Sequence, residues 1–259
     1  MQLRQPTIVC VLGPTASGKT ALALQLVKAA PFEIISVDSA LVYKGMNIGT
    51  AKPTADILAV APHRLIDFLD PCEPYSAARF CTDAQREIAD IVAQGHIPLL
   101  VGGTMLYFRA LLQGMASMPP ADQNVRDDLG RAAEQVGWQV LHQELMRVDP
   151  LAASRIHPND PQRIQRALEV YRLSGKPISS WHSDPSEVFP YQVVLLGMLP
   201  ADRALLHQRI AARFAQMLAA GFIAEVQLLY DRGDLNLSMP SMRAVGYRQI
   251  WEHLEGKVT

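Results

Sequence analysis

The sequence predicts an α/β fold built on a mainly parallel sheet, with a helical insertion late in the chain. Three observations point there. Short β-branched runs alternate with helical stretches, the pattern of strands joined by crossover helices. The first such run, Ile8 to Leu12, leads straight into Gly13-Pro14-Thr15-Ala16-Ser17-Gly18-Lys19-Thr20, a glycine-bearing turn that opens a helix. Residues 122–180 contain no strand-like run, and helical periodicity dominates there.

In chain order, the candidate strands are Ile8–Leu12, Glu33–Val37, His63–Phe68, Ile97–Val101 and Gln192–Met198. Their continuous apolar character suits strands covered on both faces. Helices are expected over Lys19–Ala29, Ala77–Gln94 and Thr104–Leu112. Past Gly114 the stretch MASMPPADQNVRDDL reads as a loop with a Pro-Pro break, and helical segments then run to about Ser186. Gln192–Met198 returns to the sheet. Two helices follow, roughly Asp202–Ala220 and Ala224–Tyr230, then a loop and a last short helix. Leu206, Ile210, Phe214, Met217 and Leu218 form an apolar stripe on the first of these. The expected organisation is a core in two parts, residues 1–114 and 189–259, around a helical insertion at 115–188. The sequence stops part-way through helical structure, so a truncated chain is expected.

With 259 residues and 49% hydrophobic content, the chain can bury a sizeable core. A formal net charge of −1 gives no global pull toward nucleic acid or membrane, although a local basic face can supply one. Cys10, Cys72 and Cys81 show no C-x-x-C spacing and no partner His cluster. That argues against a zinc site or a disulfide framework and for a reducing compartment. The amino terminus runs almost directly into a strand and leaves no room for a signal peptide. Apolar runs such as VVLLGML are far shorter than a membrane span. The expectation is a soluble cytoplasmic protein with no membrane partner.

Gly13 to Thr20 fits G-x-x-x-x-G-K-[ST] at every position, in the strand–loop–helix context the motif requires. In such a loop the backbone N–H groups converge on phosphate oxygens, and the helix adds its positive end. Lys19 brings a mobile charge, and the Thr20 hydroxyl can ligate Mg²⁺. The core is therefore expected to be P-loop NTPase-like. Backbone amides are blind to what carries the phosphate, so ATP or GTP, the usual ligands, do not follow from the loop. A guanine-type N-K-x-D motif is absent from the sequence.

Asp38 follows the second strand, and ligands of open parallel sheets sit beyond the carboxyl ends of the strands. It could be an outer-sphere ligand of Mg²⁺, a general base, or a plain cap. Val101-Gly102-Gly103-Thr104 ends another strand, and Thr104 could cap the next helix or touch substrate.

Basic faces come next. Asp160 and Pro161 mark a helix start, with Ile164, Leu168 and Tyr171 on one face and Arg163 and Arg166 projecting elsewhere. Between Arg155 and Lys176 five cations (155, 163, 166, 172, 176) stand against two acids, Asp160 and Glu169. Arg243-Ala244-Val245-Gly246-Tyr247-Arg248 sets two arginines and an aromatic around a glycine, a combination that suits RNA. A merely solvated face is the plainer alternative. Arg209 and Arg213, one turn apart, could clamp a diphosphate or pair with Glu225 or Asp202.

Taken together, GPTASGKT, SVDSALVYKGMNIGTAKP, PHRLID, PLLVGGTMLYF, SRIHPNDPQRIQRALEVYRLSGK and PSMRAVGYRQIW closely resemble the bacterial tRNA dimethylallyltransferases, also called tRNA isopentenyltransferases, over essentially the whole chain. The resemblance implies Mg²⁺-dependent transfer of a dimethylallyl group from dimethylallyl diphosphate to N6 of the adenosine 3′ of the anticodon, in tRNAs that read codons beginning with U. It implies that Gly13, Pro14, Thr15, Ala16, Ser17, Gly18, Lys19 and Thr20 bind the donor diphosphate, with Thr20 on the metal. Asp38 would be the base at N6, and Thr15, Lys19 and Arg213 would complete the catalytic set. Asp38, Ser39, Ala40, Leu41, Thr104, Arg126, Gln162, Arg163, Ile164, Gln165, Arg166 and residues Arg243 to Arg248 would contact tRNA. The family normally continues past Thr259 with a basic helical segment that this sequence does not contain. A monomer acting on tRNA is expected. Judged by the loop alone, a small-molecule or nucleoside kinase and a nucleotide-switched RNA-binding protein stay open.

Overall fold

The computed structural model describes residues 5–114, 118–181 and 189–258. The chain divides into two compact units, residues 1–112 with 189–259, and residues 113–188. The first unit begins β1 (Thr7–Leu12), α1 (Lys19–Ala29), β2 (Phe32–Val37), α2 (Ala55–Val60), β3 (His63–Arg64), α3 (Ala77–Ala93), β4 (Ile97–Gly102) and α4 (Met105–Gln113). The second unit holds α5 (Gln123–Val136), α6 (Trp138–Val148), α7 (Pro150–Ala153), α8 (Pro161–Ser174) and α9 (Ile178–Trp181). The chain then returns with β5 (Gln192–Gly197), α10 (Arg203–Ala219), α11 (Phe222–Tyr230) and α12 (Tyr247–Leu254).

All five strands are parallel, in the order β3-β2-β4-β1-β5. Side chains alternate across the sheet with period two, and the core divides accordingly. Ile8, Cys10, Ile35, Val37 and Leu100 face one cluster, with Phe80, Ile88 and Ile91 of α3 and Phe222, Val226 and Trp251 of α11 and α12. Val9, Val11, Ile34 and Leu99 face the other, with Ala23 of α1. Each large apolar side chain so buried stabilises by about 1.5–3 kcal/mol. Leu12 and Val37 are both in register with Gly102, so the carboxyl ends of β1, β2 and β4 lie side by side. That is where an open parallel sheet presents its crevice.

Several expectations meet a different structure. β3 stops at Arg64 rather than Phe68, because Leu65 and Asp67 take left-handed φ of 60° and 55°, which no strand can contain. β5 is not covered on both faces: it is the sheet edge, and Leu195 stays 58% exposed. The apolar stripe on α10 is largely exposed, Phe214 to 43%, while its Met217 packs against the core.

The second unit packs Leu129, Leu141, Leu145, Ile164 and Leu168 into its own core. Three of its helices, α5, α7 and α8, begin where a side chain satisfies a free amide: Asp122 accepts from Val125 N, Asp149 from Ala152 N and Asp160 from Arg163 N. No helix among the described residues is long and apolar enough to cross a membrane.

Candidate active site

The loop between β1 and α1 alternates backbone handedness, with left-handed φ of 61° at Ala16 and 93° at Gly18. Such alternation turns successive N–H groups toward one concavity, a nest for anions. Lys19 folds back over it, Nζ donating to the carbonyls of Gly13 (2.9 Å) and Pro14 (2.7 Å). The loop lines a cavity of about 390 Å³, closed by Ser36 of β2 with Asp38 and Leu41 after it, by Val101, Gly102 and Gly103 at the end of β4, and by Arg213 of α10.

Asp38 uses one oxygen structurally. Its Oδ1 accepts from the amides of Ala40 (2.8 Å) and Leu41 (3.2 Å), which fixes the turn after β2. Thr104 steadies the same turn by accepting from Ser39 N at 3.2 Å, while its carbonyl accepts from Tyr107 N and starts α4. Asp38 is also the shared counter-charge of two cations. Burial draws Lys19 below the ordinary lysine range; Asp38 opposes that shift and Arg213 adds to it. Burial lowers Arg213 too, again opposed by Asp38. Two cations, one carboxylate and a nest of amides leave a net pull on an anionic ligand.

Of the residues singled out for the donor and for catalysis, Thr15 to Thr20, Asp38 and Arg213 therefore share one cavity, joined by Leu41 from the tRNA set, while Gly13 and Pro14 lie behind it as acceptors for Lys19. Arg209 is exposed and away from the cavity lining. Neither proposed ion-pair partner meets these arginines: Asp202 caps Ala204 N, and Glu225 is engaged elsewhere.

Of the residues singled out for tRNA, Asp38 to Leu41 and Thr104 belong to the turn beside the cavity, with Ser39 exposed, and the remainder separate into two groups. Gln162, Arg163, Arg243, Val245 and Arg248 are exposed, and Ala244 is half-buried. Arg163 is 71% exposed and makes a 3.3 Å pair with Asp160 of its own helix start. The others are committed inward. Arg126 and Arg166 both bond Glu169, which is fully buried, Arg166 also donates to Pro119 O, and Gln165 donates to Arg126 O. Ile164 and Tyr247 are 0% exposed and Gly246 is buried, which leaves them no surface to offer a nucleic acid. Their place is behind the exposed residues, holding them.

Sequence reasoning passes over Ser36, Thr50, Ala51, Pro53 and His63, which also line the cavity. The available signal was their position inside or next to the distinctive stretches ending NIGTAKP and beginning PHRLID. Burial lowers the His63 imidazole below its ordinary range, and its Nδ1 lies 2.7 Å from Ala61 O.

Residues 41–259 match the family model described as IPP transferase, and residues 6–65 the one described as isopentenyl transferase. Solved structures agree. The full-length tRNA isopentenylpyrophosphate transferase from Bacillus halodurans is 40% identical, with a TM-score of 0.68 over 99% of this chain and 79% of that one. The tRNA delta(2)-isopentenylpyrophosphate transferase from Staphylococcus epidermidis is 34% identical, with a TM-score of 0.66 over 98% and 82%. A eukaryotic dimethylallyltransferase caught acting on tRNA is 26% identical, with a TM-score of 0.77 over 97% and 67%.

Proposed function

The chain belongs to the isopentenyl transferase family of tRNA prenyltransferases, and from that premise we propose that it transfers a dimethylallyl group from dimethylallyl diphosphate to N6 of the adenosine 3′ of the anticodon. The observation that carries the proposal is the single cavity in which a phosphate nest, Lys19 and Arg213 face Asp38. The loop there grips the leaving group of an alkyl donor.

The exocyclic amine of adenine is a poor nucleophile, because its lone pair is delocalised into the ring. As N6 bonds to the allylic C1, the C1–O bond breaks and diphosphate departs with the electron pair. The N6 proton passes to Asp38, whose Oδ1 is already held by the turn, so Oδ2 is the accepting atom. Lys19, Arg213 and the loop amides oppose the charge that grows on the diphosphate.

Magnesium fits the oxygen donors gathered here. The Thr20 hydroxyl would hold it, beside Asp38 and the Ser17 and Ser36 hydroxyls, which are buried without a partner among the described residues. When bound, the ion would neutralise part of the diphosphate charge. On the acceptor side, Asp38 to Leu41 would meet the extruded base and Arg163, Arg243 and Arg248 the backbone. The same reading has the enzyme act as a monomer in the cytoplasm, on tRNAs for codons beginning with U.

Incubation with labelled dimethylallyl diphosphate, Mg²⁺ and tRNA, followed by nucleoside analysis, tests this. Label in N6-dimethylallyladenosine next to the anticodon is expected. ATP consumption on a small acceptor, with no prenylated nucleoside, would overturn it.

A further inference from the structure

One buried carboxylate takes no part in the chemistry above. Glu225 of α11 is 9% exposed, among Phe222, Val226 and Leu229. A charge so placed is costly unless its oxygens are satisfied, and among the described residues Glu225 forms no ion pair. Backbone satisfies it instead. Oε2 accepts from the amides of Asn47 (2.9 Å) and Ile48 (2.7 Å), and Oε1 from the amide of Gly49 (3.1 Å) and the Tyr247 hydroxyl (2.6 Å). Three consecutive amides thus wrap one carboxylate from outside.

The wrapped segment is fixed on its other side as well. A Cβ at Gly49 would stand 2.0 Å from Phe222 Cε2 and 2.6 Å from Tyr247 Cε2, so only glycine lets the backbone lie this close. The chain then turns through Ala51, left-handed at φ 50°, and its next residues Thr50, Ala51 and Pro53 form a wall of the donor cavity. A non-glycine residue in that region persists only where its surroundings hold it. Tyr247 opens α12, directly after Arg243 to Gly246.

We infer that Glu225 is a positioning residue: it holds the backbone of 47–49 from behind, sets the Thr50–Pro53 wall of the cavity, and ties that wall through Tyr247 to the segment bearing Arg243 and Arg248. What the wall does for turnover rests on the prenyl-transfer reading; the holding itself does not.

The test uses Glu225→Gln and Tyr247→Phe in the full chain. Glutamine keeps the shape but turns an NH₂ toward N–H donors, whereas Tyr247→Phe removes one donor of four. Amide hydrogen exchange at 47–49 should quicken at least tenfold in Glu225→Gln, with α1 amides unchanged. The kcat for prenyl transfer should fall at least tenfold while KM for dimethylallyl diphosphate stays within about threefold. Tyr247→Phe should move both readouts the same way by less, and it carries the test alone if Glu225→Gln does not fold. Unchanged exchange at 47–49 overturns the inference, as does a uniform rise across the sheet with kcat and both KM values degraded together. If the wild type transfers no prenyl group but exchange at 47–49 still responds, the functional reading falls and the positioning role stands.

Discussion

Asp38 uses one oxygen to hold the turn after β2, and the proposed base role of the other can be separated from it by substitution. Asp38→Asn keeps an oxygen to accept from Ala40 and Leu41 but cannot take the N6 proton. Transfer should drop roughly 10²–10⁴-fold, the usual worth of a positioned base, with melting temperature unchanged. Equal rates in single-turnover assays would return Asp38 to a purely structural place. Lys19 gives a second prediction. On the proposed reading its ammonium must be charged to hold diphosphate, and burial with Arg213 nearby draws its pKa below the ordinary 10.5. Donor affinity should therefore weaken on the alkaline side before an ordinary lysine would titrate. Arg213→Gln removes one of the two downward influences, so this alkaline limb should move to higher pH even as overall affinity falls; donor KM measured against pH reads both. The phosphate loop was legible because eight consecutive positions and a strand–helix context speak together. Asp38 was ambiguous between base and cap for a physical reason, since one carboxylate can serve each role with a different oxygen. Glu225 was passed over as a pairing partner for arginine, because sequence does not tell whether backbone or a cation satisfies a lone acid in an apolar run.

Helix α8 shows what an arginine-bearing helix can conceal. Its start was legible, with Asp160 as cap and Pro161 in the first turn. Its arginines were not, because period alone cannot say that Arg166 turns back to Glu169 three residues on. Burial raises the Glu169 pKa, but bonds from Arg126, Arg166 and the Asp122 amide outweigh it, leaving the carboxyl below the usual 4.5. A depressed folded value means stability that is fully present above the unfolded pKa and is lost as pH falls through the folded one. Glu169→Ala should cost roughly 1–3 kcal/mol, because both guanidinium groups lose their carboxylate but keep contact with solvent, and Arg166 keeps Pro119 O. Thermal melts from pH 7 down to about 3 should show that advantage shrinking below the unfolded pKa; a gap constant with pH would deny the ion pairs their part. Among the strands, β3 was overextended because left-handed turns at Leu65 and Asp67 leave no mark in hydropathy.

Taken whole, the protein carries a net charge of only −1, so its hold on tRNA has to come from local cations rather than from its overall field. Arg163→Ala should lower tRNA affinity and reduce the salt slope by roughly 0.7 for each single-stranded phosphate it no longer neutralises, with no change in melting. Arg166→Ala should instead act through the stability of the second unit, because its guanidinium is occupied by Glu169 and Pro119. Titrations at several salt concentrations separate the two, and equal slopes for wild type and Arg163→Ala would remove Arg163 from the interface. The parallel core could be read from the alternation of elements; the bare outer side of its last strand could not, since apolar residues look the same covered or uncovered.

That outer side has a practical consequence. Among the described residues β5 pairs only with β1, and Val194, Leu195 and Leu196 stand exposed along it. Neither a lysine nor a proline interrupts Gln192–Gly197, and those are the residues that natural sheets use to blunt an open edge. Unpaired amides and carbonyls beside bare aliphatic side chains form a template for a strand from a second molecule. Concentrated solutions of this chain should lose protein to aggregation through β5. Leu195→Lys should raise the soluble fraction seen by light scattering at unchanged turnover, which would make this strand the first place to intervene in preparing the protein.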